Sequence, residues 1–175
     1  MINRTASPQR LSEAEGAAWS GFLRAHALIA RTLDAELRAA EKLSLSEFEI
    51  LLHLSWAGGK LRMARIAHDV VLTGGGVTRI VARLEKLGFI ERVSCPNDAR
   101  GVFAALTDRG RARLKAAQTV HVQGVKRLFL GHASKGELRT LGKFFSRVAA
   151  SAQAPVPACT LGDEVSARPG RNHAG

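Results

Sequence analysis

Residues 62–106, RMARIAHDVVLTGGGVTRIVARLEKLGFIERVSCPNDARGVFAAL, leave the chain few options. A short helical pattern ends near Asp69, a three-residue turn follows, and Thr73 is placed to cap a second helix. In that helix Val77, Ile80, Val81, Leu84 and Leu87 recur at i, i+3, i+4, i+7 and i+10, a single apolar face. Thr78, Arg79, Arg83 and Lys86 occupy the other face. Gly88 stands where a helix leaves through the left-handed conformation. Two extended runs, 89–93 and 102–106, then flank a Pro-Asn-Asp tip with Arg100 and Gly101 on its return side, a hairpin pattern. Helix, turn, helix and two-stranded ribbon make the outline of a winged helix-turn-helix, whose second helix fits a DNA major groove.

Charge follows the same stretch. The net charge is +11 over 175 residues, enough chain for one ordinary domain with a core. Between Lys60 and Lys115 there are twelve Lys/Arg against five Asp/Glu, whereas the preceding residues carry six against seven. A basic excess concentrated on one segment is the footprint expected of a polyanion-binding surface, although basic surfaces also serve solubility. Cys95 and Cys159 lie far apart with no metal-ligand spacing, so no disulfide framework or metal site is expected. No apolar run approaches a membrane span, and the first ten residues lack a leader-like apolar region, which makes a cytoplasmic protein with no membrane partner the expectation.

Long helical patterns bracket the winged segment. From about Leu11, a stripe of Trp19, Phe22, Leu23, His26, Ile29, Ala30, Leu33 and Leu37 runs along a helix of about 28 residues, roughly 40 Å at 1.5 Å per residue. Ser44 or Ser46 then caps a second helix, each with a Glu three residues on, and Phe48, Leu51, Leu52 and Trp56 form its buried side. Thr107 caps a further long helix with a stripe of Leu114, Ala117, His121, Val125 and Leu128. Ser134 and Glu137 open a last one bearing Leu138, Leu141, Phe144, Phe145 and Val148.

The fold class expected is mainly α with a small β-wing. In outline, residues 1–10 form a flexible start and 11–150 a winged helix-turn-helix domain, with its DNA-binding core at about 44–106. Dimerisation helices occupy about 11–40 and 107–150, and 151–175 form a disordered tail. One chain of this size cannot easily cover such stripes, and each wet Leu or Phe forgoes about 1.5–3 kcal/mol. A two-fold homodimer with interleaved terminal helices resolves this, and sets two recognition helices about 34 Å apart for a palindromic operator.

The run LTGGGVTRIVARLEKLGFIERVSCPNDARGVFAALTDRG resembles the winged-helix core of the MarR family of bacterial transcriptional regulators, the SlyA-like proteins. The similarity extends over about residues 11–150 and is most specific in Gly-Val-Thr-Arg of the recognition helix and Asn-Asp-Ala-Arg-Gly-Val of the wing. It implies an obligate dimer that represses genes from palindromic operators, and release from DNA when a small aromatic effector binds. It also implies that Asp98 braces Arg100 as that arginine enters the minor groove, where inserted cations are favoured. An ordinary Asp-bearing turn beside a surface arginine is the plainer reading.

Among the residues expected at DNA, Thr73 caps the helix and can meet phosphate at the same time. Gly74, Gly75 and Gly76 each cost about 0.5–1 kcal/mol inside a helix relative to Ala, so their bareness suggests close approach of backbone amides to the groove. A loose helix start that orders only on DNA is the alternative. Thr78 and Arg79 fall within reach of base edges, and a bidentate Arg–guanine pair is worth about 1–3 kcal/mol of discrimination. Arg83, Lys86 and Arg65 are expected to touch phosphate or face water.

Other readings are weaker. His26 and His121 lie on apolar stripes, as core or interface histidines do, or else they join Trp19 in lining an effector pocket. Cys95 has Arg92 nearby, which could lower a thiol pKa, but the resemblance places reactive cysteines near the first helix, where this chain has none. No catalytic constellation, cofactor motif or P-loop occurs, so no enzyme is expected. The rival of a different class is a winged helix used only as a protein-interaction module.

Overall fold

The computed structural model describes residues 10–69, 74–95 and 98–152. Thr73, the Pro96-Asn97 tip, residues 1–9, and the tail with Cys159 lie outside the described residues. The chain divides into two units, one ending at His132 and one beginning at Ala133.

Helix α1 (Glu13–Glu41) starts at a capping box in which the Ser12 amide donates to Glu15 Oε2 at 2.8 Å. It ends at Lys42, whose φ of 58° is left-handed. Helix α2 (Leu45–Trp56) is capped by Ser44, not Ser46: the Ser44 amide donates to Glu47 Oε2 at 2.7 Å and the Glu47 amide donates to Ser44 Oγ at 3.2 Å. The α2 core residues are Phe48, Ile50, Leu51 and Leu54, with Leu52 half-buried. Trp56, expected inside, is 71 % exposed; it sits in the last turn, edge-on to His53 at 5.3 Å between ring centroids. Because α2 packs against α1, α5, α4 and the sheet, its buried arc is wider than one stripe and shifted from the expected one.

An Ala57-Gly58-Gly59 turn delivers strand β1 (Lys60–Arg62), which the sequence pattern did not announce. The Gly59 carbonyl accepts from the Leu106 amide at 2.7 Å and brings β1 beside the wing. Helices α3 (Met63–Asp69) and α4 (Gly74–Lys86) follow, then β2 (Ile90–Cys95) and β3 (Asp98–Leu106). The antiparallel sheet runs β1-β3-β2, with Arg62 opposite Phe103 and Val93 also opposite Phe103. The wing strands are longer than residue preference suggests. A register shift between Ser94 and Cys95 keeps the ladder paired, so Asp98 and Arg100 belong to β3 by backbone.

Gly88 has φ of 72° and ends α4, its amide donating to the Glu85 carbonyl at 2.8 Å. Thr107 then joins three elements. Its hydroxyl donates to the Gly88 carbonyl at 2.7 Å and accepts the Gly110 amide at 3.0 Å, capping helix α5 (Asp108–Leu128). Here α5 crosses so close to Phe89 that a Cβ on Gly110 would lie 2.0 Å from the Phe89 carbonyl oxygen. Along α5, Leu114, Ala117 and Gly124 are buried, and Arg113 and Arg127 pair with Glu41 and Glu36 of α1. A short 3-10 turn (Leu130–His132) closes the first unit.

In the second unit, helix α6 (Lys135–Ala152) begins at the expected Ser134–Glu137 box, with the Ser134 amide donating to Glu137 Oε2 at 2.7 Å. It continues two residues past the expected boundary at 150. Phe144, Phe145 and Val148 are exposed along it.

Candidate nucleic-acid interface

Helix α4 is divided lengthwise. Val77, Val81 and Leu84 are at most 1 % exposed, while Thr78, Arg79, Arg83 and Lys86 are exposed on the other side. The apolar side is held by α2, α3 and β2, so the polar side is presented outward by a fixed scaffold. Gly74 and Gly75 form the first helical turn with Gly76, which is half-buried. Arg65 is exposed on α3. Asp98 and Arg100 have their backbone in β3; their side chains lie outside the described residues.

The structure gives several cations protein partners that the sequence reading did not foresee. Arg83 Nε donates to Glu47 Oε1 at 2.6 Å, joining α4 to the start of α2. Arg92 Nε lies 3.0 Å from Glu85 Oε2, so the cation considered beside Cys95 is engaged with a carboxylate of α4. Arg109 and Arg113 lie over the Phe89 ring at 5.6 and 5.4 Å. Lys60 and Arg62, two apart on β1 and hence on one face, lie over Phe103 at 4.8 and 5.2 Å. Only the Lys-x-Arg alternation hinted at that pair. Arg79 and Lys86 of α4 are exposed beside Arg83, and Arg65 is exposed on α3.

The residues considered for an effector divide into two places. Trp19, Phe22 and His26 form a ladder along α1 with successive centroids 5.9 and 6.2 Å apart, and all three are exposed. His121, on α5, instead stacks on Phe48 of α2 at 4.5 Å, and its burial holds the imidazole below its ordinary pKa. That is the environment of a packed neutral ring. Glu49 was missed: burial pushes its carboxyl pKa up, against the opposing charges of His53 and His26, which puts α2 within electrostatic reach of the α1 ladder.

Among the described residues no three His, Cys, Asp or Glu side chains are grouped to hold a metal ion, and no helix is long and apolar enough to cross a membrane.

The sequence pattern of the MarR family matches residues 43–102, from the cap of α2 into β3. The HTH-type transcriptional regulator PecS of Dickeya dadantii is 31 % identical over 123 residues, 69 % of this chain and 73 % of that protein. The HTH-type regulator YkoM of Bacillus subtilis is 34 % identical over 86 residues, 49 % of this chain but only 55 % of YkoM, so that match spans about half of the relative. Among solved structures, Sco3205 of Streptomyces coelicolor, a MarR family transcriptional regulator in complex with DNA, superposes with a TM-score of 0.78 at 29 % identity. That superposition covers 83 % of this chain and 96 % of Sco3205. AbsC, from the same organism and family, follows at a TM-score of 0.75 and 27 % identity, covering 82 % of this chain and 97 % of AbsC.

Proposed function

The chain belongs to the MarR family of transcriptional regulators, and from that premise we propose that it is a ligand-responsive repressor that binds a palindromic operator as a homodimer. The observation that carries this is the outward face of α4. Thr78, Arg79 and Lys86 stand exposed above Val77, Val81 and Leu84, which are buried to 1 % or less. A helix so held can enter a major groove without reorganising, and Arg79 has the fork that matches a guanine edge. The glycines at 74–76 let the first turn approach the backbone, and Arg100 of the wing reaches the minor groove with Asp98 as its brace. Sco3205, similar over most of both chains, was solved with DNA bound.

The dimer is supported by large apolar side chains that keep a substantial part of their surface in water. On α1 Trp19, Phe22 and Leu23 are exposed, as are Phe144, Phe145 and Val148 on α6, and a second copy would take both sets out of water. A small aromatic effector would stack on the α1 ladder at Trp19 and His26, near the half-buried Glu49; His121 would act from behind, through Phe48. No cofactor is required.

Selection of bound fragments from random DNA tests binding, symmetry and spacing together. An inverted repeat with half-sites about one turn apart is expected. Arg79→Ala should lose about 1–3 kcal/mol of discrimination at one base pair of each half-site, and Arg100→Ala should weaken all sequences and flatten the salt slope by about one per site. No preference for any duplex over bulk competitor in dilute salt would end this reading.

A further inference from the structure

Among the described residues Glu47 is the one charged side chain in the buried set, at 3 % exposure, and it joins the start of α2 to α4. Both carboxylate oxygens are engaged. Oε2 accepts the Ser44 amide at 2.7 Å, closing the box that starts α2, and Oε1 accepts Arg83 Nε at 2.6 Å. The same corner is tied to α1: Asp34 Oδ1 accepts the Leu45 amide at 2.8 Å, and Asp34 Oδ2 accepts Arg38 Nε at 2.6 Å. An acid in this position is costly to bury alone, and a cation is its usual counterweight.

The asymmetry of the Glu47–Arg83 pair suggests a second purpose. The carboxylate side is 4 % exposed and the guanidinium side 58 %. A guanidinium carries five N–H donors in one plane, and contact through Nε leaves the Nη edge turned away from the acid. Arg83 follows Arg79 by four residues, so the two cations share the outward face of α4 and repel one another. An acid placed beneath Arg83 offsets that repulsion and holds its plane in one orientation.

We propose that Glu47 is a positioning residue for DNA binding: it fixes Arg83 so that the outer edge of the guanidinium meets a backbone phosphate. The inference rests on the regulator reading above and deepens it. Arg83 thereby contributes affinity without sequence preference, whereas Arg79 contributes the preference.

The test uses the duplex that the wild-type protein selects from random DNA, with binding followed by fluorescence anisotropy across a salt series. Glu47→Gln keeps the shape of the side chain and a capping-competent oxygen but removes the charge. The expected result is a salt slope lower by about one per bound subunit, with affinity down roughly 3- to 10-fold for all sequences alike. Arg83→Gln should give the same loss, and adding Glu47→Gln to it should lower the slope no further. In the double variant Glu47→Gln/Arg83→Gln, the melting temperature should recover relative to Arg83→Gln while the slope stays low, because the unpaired buried charge has gone and the phosphate contact has not returned. A pair that only stabilises the fold would show the opposite pattern, with lowered melting temperatures in the single variants and an unchanged slope in all three; that result overturns the proposal. If wild-type protein binds and Arg79→Ala loses discrimination, failure at Glu47 sinks this inference alone. If wild-type protein prefers no duplex, the regulator reading falls first.

Discussion

The two halves of α1 carry one apolar period and meet opposite fates. In the second half Leu33 and Leu37 are 5 % and 0 % exposed, while in the first half Trp19, Phe22 and Leu23 are 56 %, 44 % and 47 % exposed. What differs is the opposing surface. The second half lies against α5, where a Cβ on Gly124 would stand 2.5 Å from Leu33 Cδ2, so the absence of a side chain there lets the helices close. Glu36 and Glu41 fasten that contact by pairing with Arg127 and Arg113 of α5. In the first half the acid Glu15 is occupied in its own helix cap instead. An apolar period thus states that a face needs cover, but not which molecule supplies it.

Truncation in the two halves should separate the two kinds of cover. The largest effect is expected from Leu37→Ala, which empties a site in the core: stability to denaturant should fall by about 2–5 kcal/mol. A loss below about 1 kcal/mol would mean that the second half of α1 is as dispensable to the single chain as the first. Trp19→Ala is expected to leave the core intact and to weaken self-association instead. A buried interface tryptophan is worth about 2 kcal/mol, or roughly 30-fold in the dimer dissociation constant, read by sedimentation over a concentration series. Wild-type protein that is monomeric at micromolar concentration would break the comparison, since a second copy would then not be what covers the first half.

The smallest effect is a pH dependence beside the covered half. Burial lowers the pKa of His121 from 6.5, so on acidification the unfolded chain takes up this proton before the folded one does. Stability is therefore lost as pH falls from about 6.5 toward the depressed folded value. Glu49 acts in the other direction: its pKa is raised from 4.5, so the folded carboxyl is protonated first and acidification approaching that value stabilises the fold. His121→Gln should shrink the decline in melting temperature between neutral and mildly acid pH while leaving the Glu49 contribution in place. An identical decline in wild type and variant would show that His121 is not the group responsible.

Much of the local structure could be read directly from the chain. The buried face of α4, the left-handed exit at Gly88 and the Ser134–Glu137 and Thr107 caps all appear as expected. The choice of Ser44 over Ser46 could not be read, because both have Glu at the same spacing and only the start of the helix decides. Strand β1 was illegible for a different reason: three residues are too few to display a period, and its place is set by pairing with β3 more than forty residues later. Trp56 failed because its burial depends on what surrounds the last turn of α2 rather than on its own hydrophobicity.

Local sequence was enough to give most helix caps, the division of α4 into apolar and cationic sides, and the concentration of charge on one segment. Those follow from interactions among residues a few positions apart, where backbone geometry leaves little choice. Which cations meet a carboxylate or an aromatic ring of the protein was settled by long-range packing. Glu47 and Arg83 lie 36 positions apart, so their encounter depends on how α2 and α4 are packed, and an ion pair of that kind leaves no periodic trace along the chain.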